Sequence, residues 1–308
     1  MKEIDKAVEL LKKGDIVAIP TETVYGLAAS IHSESGLKKI FEIKERPFFD
    51  PLIVHVLDVA MAKSLAGRWS KTCDILAAAF WPGPLTLVVK KSGEVSDIIT
   101  AGLDSVGLRC PNHPVALEVI KKLNAPLAAP SANKFKRTSP TKKEHVLAEF
   151  NGEVMTLEGG QSEVGIESTV AGVFEDRIEI YRPGMITKER IENALKKNGA
   201  AIPVKMVQSP VAPGQLKHHY MPNIPIVLSW DNATPNMEEL GLGEKIGEEW
   251  TLEESPELVA RKLYGFFREA ERSNKEFILI VLNSHLKSQS DWSGILNRLE
   301  KAKSFEIF

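Results

Sequence analysis

The 308-residue sequence lacks the short motifs by which many enzymes are recognised. It has no G-x-x-x-x-G-K-[ST] phosphate loop, no G-x-G-x-x-G dinucleotide signature, no H-E-x-x-H zinc pair and no G-x-S-x-G nucleophile turn. These absences exclude the commonest nucleotide-binding, zinc-dependent and serine-hydrolase sites. Any nucleotide chemistry would therefore depend on a less common arrangement of residues.

Cysteine is scarce too. Cys73 and Cys110 have no C-x-x-C or metal-ligand spacing, which is typical of buried thiols in a reducing cytoplasm, although a single disulfide between them stays open. The start, Met1–Asp5, is too charged for a signal peptide, and no apolar run reaches transmembrane length. We therefore expect a cytoplasmic protein without a membrane contact or a protein-held metal.

The chain also lacks a large excess of positive or negative charge. The formal net charge is −2 and the isoelectric point is about 6.4, so no overall positive field favours nonspecific binding of nucleic acid. Hydrophobic residues make up 43% and charged residues 26% of the chain, as in soluble globular proteins. At this length two domains are expected, one of them large.

Predicted strands and helices alternate along the chain, which indicates an α/β fold. We predict a large domain over residues 1–202, a linker over 203–223 because it is rich in proline, and a small α/β domain with parallel strand pairing over 224–308. Thr141 is predicted to cap a helix near 142–150. Ser255, followed by a proline at the first helical position, is predicted to cap another.

Two cations and a histidine lie close to a predicted buried strand. Lys44 and Arg46 precede the strand 52–57, and His55 lies within it. Burial disfavours cations unless an anion pairs with them, and either a protein carboxylate or a ligand can supply that anion. A solvated helix end for the cations, and a satisfied core histidine, remain open alternatives.

Further polar residues follow other predicted strands. Each has an ordinary structural explanation as a turn, a helix cap or an internal ion pair. Serine and asparagine two positions apart on an extended segment point to one side, as towards a common ligand. These candidates are Thr21, Arg109, Ser131, Asn133, Ser139, Ser168 and Arg182.

Several segments together resemble the YrdC/Sua5 family, in its longer two-domain Sua5 type. They occur in the order of the family and span most of the first 200 residues. The matching segments are PTETVYGLAA (20–29), KERPFFDPLIVHV (44–56), WPGPLTLV (81–88), AGLDSVGLRCP (101–111), APSAN (129–133), SPT (139–141), EST (167–169), YRPG (181–184) and the linker-like APGQLKHHYMP (212–222).

The resemblance implies a YrdC-like open twisted α/β sheet with a large concave cavity, plus a small C-terminal Rossmann-like α/β domain. It implies synthesis of L-threonylcarbamoyladenylate and pyrophosphate from L-threonine, bicarbonate or CO2, and ATP. Mg2+ would be carried by the ATP phosphates. A separate transferase would pass the threonylcarbamoyl group to adenosine 37 of tRNAs that read ANN codons, without strong direct tRNA binding by this chain.

The resemblance also assigns residues. For L-threonine it implies Thr21, Arg46, His55, Arg109 and Ser168. For ATP it implies Lys44, Arg46, Ser131, Asn133, Ser139, Arg182, His219 and Tyr220. Lys44 and Arg46 would be catalytic through position and charge, since no residue is an obvious nucleophile.

Two segments depart from the family pattern. Lys134–Arg137 replaces a serine and glycine, which makes that loop bulkier and more basic. Gln215–His218 replaces the middle of the usual linker pattern, whose proline, glycine, histidine and tyrosine are kept, so the expected flap over ATP rests on His219 and Tyr220. Two other functions stay open: an RNA-binding or ribosome-maturation module, and a carbamoyl-transfer enzyme related to hydrogenase maturation. The acidic isoelectric point argues against the first, and missing zinc-finger-like and acylphosphatase-like regions argue against the second.

Overall fold

The computed structural model describes residues 2–207, 219–231, 233–243 and 245–308. Within them the strands form two sheets. The larger sheet has nine strands in the spatial order β1-β2-β6-β3-β5-β4-β7-β8-β9 and mixes parallel with antiparallel pairs. Its strands are β1 (Val17–Ile19), β2 (Gly26–Ser30), β3 (Ile53–His55), β4 (Leu85–Lys90), β5 (Ser105–Arg109), β6 (Leu127–Ala128), β7 (Thr169–Val173), β8 (Ile178–Arg182) and β9 (Val204–Met206).

Helices connect these strands and bury their apolar faces in the core. They are α1 (Lys2–Lys12), α2 (Glu34–Lys44), α3 (Val59–Leu65), α4 (Lys71–Phe80), α5 (Asp97–Thr100), α6 (Pro114–Leu123), α7 (Lys143–Glu149) and α8 (Lys188–Lys197). The ends of α2 matter most for the site. Ser33 caps its start by accepting from the Gly36 N–H, and Glu45 ends it in the left-handed conformation, which turns the chain sharply at Arg46.

The centre of the large sheet brings two predicted site residues together. Strand β3 pairs in parallel with β5, and His55 is the register partner of Arg109. Partners in adjacent strands lie side by side on one face of a sheet. The pairing of β3 with β5 therefore places the His55 imidazole beside the Arg109 guanidinium.

The second sheet belongs to the C-terminal domain and is wholly parallel. Its order is β11-β12-β10-β13. Its strands are β10 (Ile226–Trp230), β11 (Gly247–Thr251), β12 (Phe277–Leu282) and β13 (Phe305–Ile307), and its helices are α9 (Pro256–Arg272) and α10 (Ser293–Ala302) with two short 3-10 turns over Ser284–Ser288 and Ser290–Trp292. The predicted α/β class and the parallel pairing are confirmed, and Ser255 caps α9 as expected.

Two local expectations differ from the structure. Thr141 does not cap a helix: α7 follows Lys142, which makes no side-chain cap, and the Thr141 N–H instead donates to Nδ1 of His145. Residues 204–206 fall within the predicted linker, yet they extend the large sheet as β9 because Val204 is buried there beside β8. The division of the chain at residue 202 stays a prediction, and Gln215–His218 lie outside the described residues.

The C-terminal domain shares a hydrophobic core with the large domain. Val24 and Ile166 belong to the same buried cluster as the apolar faces of α9 and α10. Gly165, in the left-handed conformation, lies so close to α9 that an added Cβ would be 2.4 Å from the Ala260 carbonyl oxygen. No helix in the described parts of the chain is long and apolar enough to cross a membrane. Cys73 and Cys110 are buried and free, so the disulfide left open by the sequence is absent.

Candidate active site

A polar cavity opens where the loops after several strands of the large sheet meet the C-terminal domain. The empty volume of the cavity is roughly 550 Å³, a value that includes open solvent at its mouth. Of the predicted site residues, Lys44, Asn133 and Ser139 lie behind its wall. The others line it directly: Thr21, Arg46, His55, Arg109, Ser131, Ser168, Arg182, His219 and Tyr220.

Arg46 projects into the cavity from the turn that ends α2. Its Nη2 is 3.0 Å from Oδ2 of Asp50, and its Nε and Nη2 donate to the carbonyls of Asp50 and Pro51 at 3.2 and 2.8 Å. Burial raises the pKa of the Asp50 carboxyl, and Arg46 opposes that rise. In this structure the anion beside Arg46 is therefore a protein carboxylate, one of the two sources that the sequence left open.

Arg109 has a similar partner in the Pro20–Gly26 turn. Its Nη2 is 2.7 Å from Oε2 of Glu22, and its Nε donates to the Gly83 carbonyl at 3.3 Å. In the same turn Thr21 Oγ1 donates to the Val24 carbonyl at 2.6 Å and accepts from two backbone N–H groups. The turn is thus internally capped, and its Glu22 supplies the carboxylate that pairs with Arg109 of the cavity wall.

His55 is buried and lines the cavity, but neither ring nitrogen has a hydrogen-bond partner among the described residues. Burial and, secondarily, Arg109 lower the pKa of His55 well below its usual value, so the imidazole is neutral. A neutral imidazole offers one donor and one acceptor. Because buried polar groups without partners are rare in folded proteins, His55 is well placed to bind a ligand.

Ser168 and Arg182 form one hydrogen-bonded unit in the cavity wall. Arg182 donates from Nε to the Ser168 carbonyl at 3.1 Å and from Nη2 to Ser168 Oγ at 3.2 Å. Ser168 Oγ also lies 2.8 Å from the Thr86 hydroxyl. These bonds fix the guanidinium and the serine hydroxyl relative to each other at the start of β7.

Lys44 supports the cavity from behind. Only 1% of it is exposed, and its Nζ donates to the carbonyls of Ser131, at 2.6 Å, and Asn133. Burial and the neighbouring Arg46 lower the pKa of Lys44 well below its usual value. Asn133 in turn donates to the carbonyls of Lys134 and Arg137, which closes the basic loop. The alternative of a solvated helix end is therefore wrong for Lys44.

Ser139 reaches the cavity through Glu167, a residue to which sequence reasoning gave no role. Ser139 Oγ donates to Glu167 Oε1 at 2.5 Å, while Arg298 Nε and Tyr264 Oη donate to Oε2 at 2.7 and 3.0 Å. Burial opposes ionisation, but Arg298 and Arg182 hold the pKa of Glu167 at about 2. Glu167 itself lines the cavity, so the C-terminal domain contacts its wall directly.

His219 and Tyr220 complete the wall. The His219 N–H donates to the Lys301 carbonyl at 3.1 Å, and the Tyr220 carbonyl accepts from Thr138 Oγ1 at 3.3 Å. The Tyr220 ring stacks on Tyr264 with centroids 5.9 Å apart. Both residues are thus held between the two domains, and their role as a flap over ATP stays a prediction.

Sequence reasoning missed Glu22, Asp50, Glu167, Tyr264 and Arg298. The first three lie inside motif segments, and a further signal exists for Asp50, which lies four residues after Arg46. The last two carry no signal, because their part of the chain matched the family only in position and composition. Among the described residues no group of three or more His, Cys, Asp or Glu is placed to hold a metal ion.

Two family models match the chain. One, described as "Telomere recombination" and named for Sua5, YciO and YrdC, matches residues 9–184. The other, described as "Threonylcarbamoyl-AMP synthase, C-terminal domain", matches residues 186–304. Together they cover every strand of the two sheets except β13.

Three relatives carry the name threonylcarbamoyl-AMP synthase. That of Pyrococcus abyssi is 35% identical and covers 98% of this chain and 94% of its own length. That of Bacillus subtilis is 40% identical over 73% of this chain and 66% of its own length. That of Schizosaccharomyces pombe is 31% identical over 98% of this chain and 88% of its own length.

The crystal structure of P. abyssi Sua5 complexed with L-threonine superposes with a TM-score of 0.87. It is 32% identical and covers 99% of this chain and 96% of its own. The YciO protein of Escherichia coli superposes on 59% of this chain with a TM-score of 0.52 and 20% identity, which indicates a shared fold alone.

Proposed function

This chain belongs to the Sua5/YrdC family, and we propose that it synthesises L-threonylcarbamoyladenylate from L-threonine, bicarbonate or CO2, and ATP, with release of pyrophosphate. One observation carries the proposal. Arg46, Arg109 and Arg182 meet at a single buried cavity, in a chain whose relatives are threonylcarbamoyl-AMP synthases. A relative with the same fold has been crystallised with L-threonine.

L-threonine is proposed to bind on the His55 side. Its carboxylate would be held by the guanidiniums of Arg46 and Arg109, because planar guanidiniums bind carboxylates through paired hydrogen bonds. The other proposed contacts to threonine come from the hydroxyls of Thr21 and Ser168 and from the neutral imidazole of His55. The unpartnered nitrogens of His55 support this assignment, since a ligand hydroxyl or amine would satisfy them.

ATP is proposed to bind on the other side, against Ser131, Arg182, His219 and Tyr220, with Ser139 and Asn133 behind that wall. Arg46 would lie between the two substrates. Lys44 would act through the carbonyls of Ser131 and Asn133, and the arrival of phosphates would favour its charged form. Mg2+ is proposed to arrive on the triphosphate with its waters, as Mg2+ commonly does with nucleotide substrates.

The proposed chemistry forms two bonds in sequence. The threonine amine attacks the carbon of CO2 and loses a proton, which gives a carbamate. A carbamate oxygen then attacks the α-phosphorus of ATP, and the bond from that phosphorus to its bridging oxygen breaks, so pyrophosphate leaves with the electron pair. Two anions must approach each other in this step. Fixed guanidiniums lower that repulsion, and no covalent enzyme intermediate is required.

The product is proposed to pass to a separate transferase that acts on adenosine 37 of tRNAs reading ANN codons. A cytoplasmic location is proposed with it, supported by two buried free thiols. The RNA-binding and carbamoyl-transfer alternatives are not favoured, because the curated relatives carry the synthase name.

Pyrophosphate release tests the proposal. Purified protein with ATP, Mg2+ and bicarbonate should release pyrophosphate only when L-threonine is added, and removal of bicarbonate should lower the rate. Release that is indifferent to threonine, or no release from a folded sample, would refute the proposed activity.

A further inference from the structure

A buried ion pair connects the C-terminal domain to the cavity wall. Arg298 of α10 is wholly inaccessible to solvent. Its Nε donates to Oε2 of Glu167 at 2.7 Å, and its Nη2 donates to the Glu167 main-chain carbonyl at 3.1 Å. One guanidinium therefore fixes both the side chain and the backbone of a cavity-lining residue.

Glu167 transmits this contact to both proposed substrate regions. Its Oε1 accepts from Ser139, which lies behind the proposed ATP wall. The next residue along the chain is Ser168, whose hydroxyl accepts from Arg182 and belongs to the proposed threonine wall. A displacement of Glu167 would thus move groups on both sides of the cavity.

The approach of α10 to the site is close and specific. Arg298 Nη1 donates to the Pro183 carbonyl at 2.6 Å, and its guanidinium lies 5.2 Å from the centre of the Tyr220 ring. An added Cβ at Gly294 would be 2.8 Å from the Cα of Gly184, so the helix backbone rests almost directly on the loop after β8. Arg298 has no room to adopt a different position while the domains remain packed.

The charge of Glu167 explains why a partner matters here. A carboxylate in a cavity that binds anions repels them unless a cation neutralises it. Arg298 neutralises Glu167, while Ser139 and Tyr264 donate hydrogen bonds to its two carboxylate oxygens. Without Arg298, the same carboxylate would line the cavity with its charge offset in part, by Arg182.

We infer that Arg298 is a positioning residue for the proposed reaction: the C-terminal domain supplies it to neutralise and orient Glu167, which keeps the ATP and threonine walls in place. This inference rests on the proposed function. It assigns a chemical task to the second domain, for which the sequence offered none.

The test compares Arg298→Met with a matched control, Arg268→Met. Arg268 is also a buried arginine of the C-terminal domain paired with a carboxylate of the large domain, Glu149, at 3.1 Å. Neither member of that pair lines the cavity. Both variants lose one interdomain ion pair and a similar volume of side chain, so a purely structural role predicts equal effects on the two.

We expect kcat/KM for pyrophosphate release by Arg298→Met to fall by about 10- to 100-fold per folded molecule, as when reacting groups shift by about 1 Å. The KM for ATP should rise more than the KM for threonine, because ATP carries more negative charge. Arg268→Met should keep both KM values near those of the unmodified protein. Circular dichroism and thermal unfolding establish the folded fraction of each variant.

A second variant distinguishes an effect of the unpaired charge on the KM for ATP from a general loss of structure. Adding Glu167→Gln to Arg298→Met removes the unpaired carboxylate but keeps groups that can bond Ser139 and Tyr264, so the KM for ATP should recover most of its loss. Equal kinetics for Arg298→Met and Arg268→Met, or no recovery in the double variant, would overturn the inference. Inactive unmodified protein would instead refute the proposed function.

Discussion

Arg46 and Arg109 each lie buried against a carboxylate of the chain itself. Asp50 follows Arg46 by four residues, and Glu22 reaches Arg109 from a separate turn. A buried charge left without its partner is strongly destabilising. On the proposed assignment an anionic ligand joins a pre-formed balance of charge, so we expect single substitutions of these arginines to disturb both binding and folding.

This balance determines how Arg46 is best tested. Arg46→Met alone would leave Asp50 unpaired and cost about 3–5 kcal/mol of stability. Arg46→Met combined with Asp50→Asn removes both charges, so the fold should be largely retained. We expect the double variant to lose pyrophosphate release by about 100-fold or more, as when a group that stabilises transition-state charge is removed.

Activity per folded molecule, with folding followed by thermal unfolding, provides the measurement. The matched control is Arg68→Met with Glu175→Gln, a pair whose side chains are 64% and 65% exposed. Exposed pairs contribute little to stability, so the control should keep full activity. A folded Arg46/Asp50 double variant with ordinary activity would contradict the role of Arg46.

Single residues of the cavity could be predicted in part. Motif-bearing segments pointed to cavity-lining residues such as Thr21, His55 and Ser168, because their types suit anion binding and their segments end strands. Their partners could not be predicted. Whether Glu22 faces Arg109 or solvent depends on the turn that Thr21 closes with its own hydroxyl, and no spacing rule encodes that orientation.

At the scale of secondary-structure elements, the cavity is positioned by the ends of strands and by close backbone contacts at glycine residues. The pairing of β3 with β5 sets His55 beside Arg109, while close backbone contacts hold α9 and α10 against loops of the large domain. Two glycines in one loop differ in this respect. Gly160 and Gly165 are both left-handed, but an added Cβ meets nothing within 4 Å at Gly160 and meets the α9 backbone at Gly165.

We expect Gly165→Ala to destabilise the protein more than Gly160→Ala. Both substitutions place an alanine in the left-handed backbone conformation, which costs about 1–2 kcal/mol of stability. Only Gly165→Ala also forces α9 away from the large domain, which adds about 1–3 kcal/mol for overpacking. Denaturant unfolding of the two variants measures the difference. Equal midpoints would show that α9 is not held tightly at this loop.

Long amphipathic helices were predicted well, and short or atypical elements were not. The sequence pattern predicts helices over 34–44, 71–80 and 188–197, and α2, α4 and α8 occupy those residues. Strand β2 was missed because Gly26–Ser30 consists mostly of small residues without alternation, and all of it is buried. Strand β11 was missed because its charged residues do not resemble a strand.

At the scale of the whole molecule, the C-terminal domain supports the cavity wall through contacts with Glu167, His219 and Tyr220. The sequence predicted its class and parallel pairing, because apolar runs alternate with a well-capped helix. It did not predict the docking of that domain, since interdomain contacts such as that of Arg298 depend on which faces meet after folding. The residues that line the cavity precede the C-terminal domain in the chain, and that domain holds them in place through Glu167 and Tyr220.

The central claim is that this cavity joins threonine, CO2 and the α-phosphate of ATP in one molecule. Its most direct test follows three labels, in L-threonine, in bicarbonate and in the α-phosphate, and identifies the nucleotide product by chromatography and mass spectrometry. The account predicts one product that contains all three labels in equal amounts, formed together with pyrophosphate. A nucleotide product that carries the α-phosphate label without label from threonine or bicarbonate would contradict it.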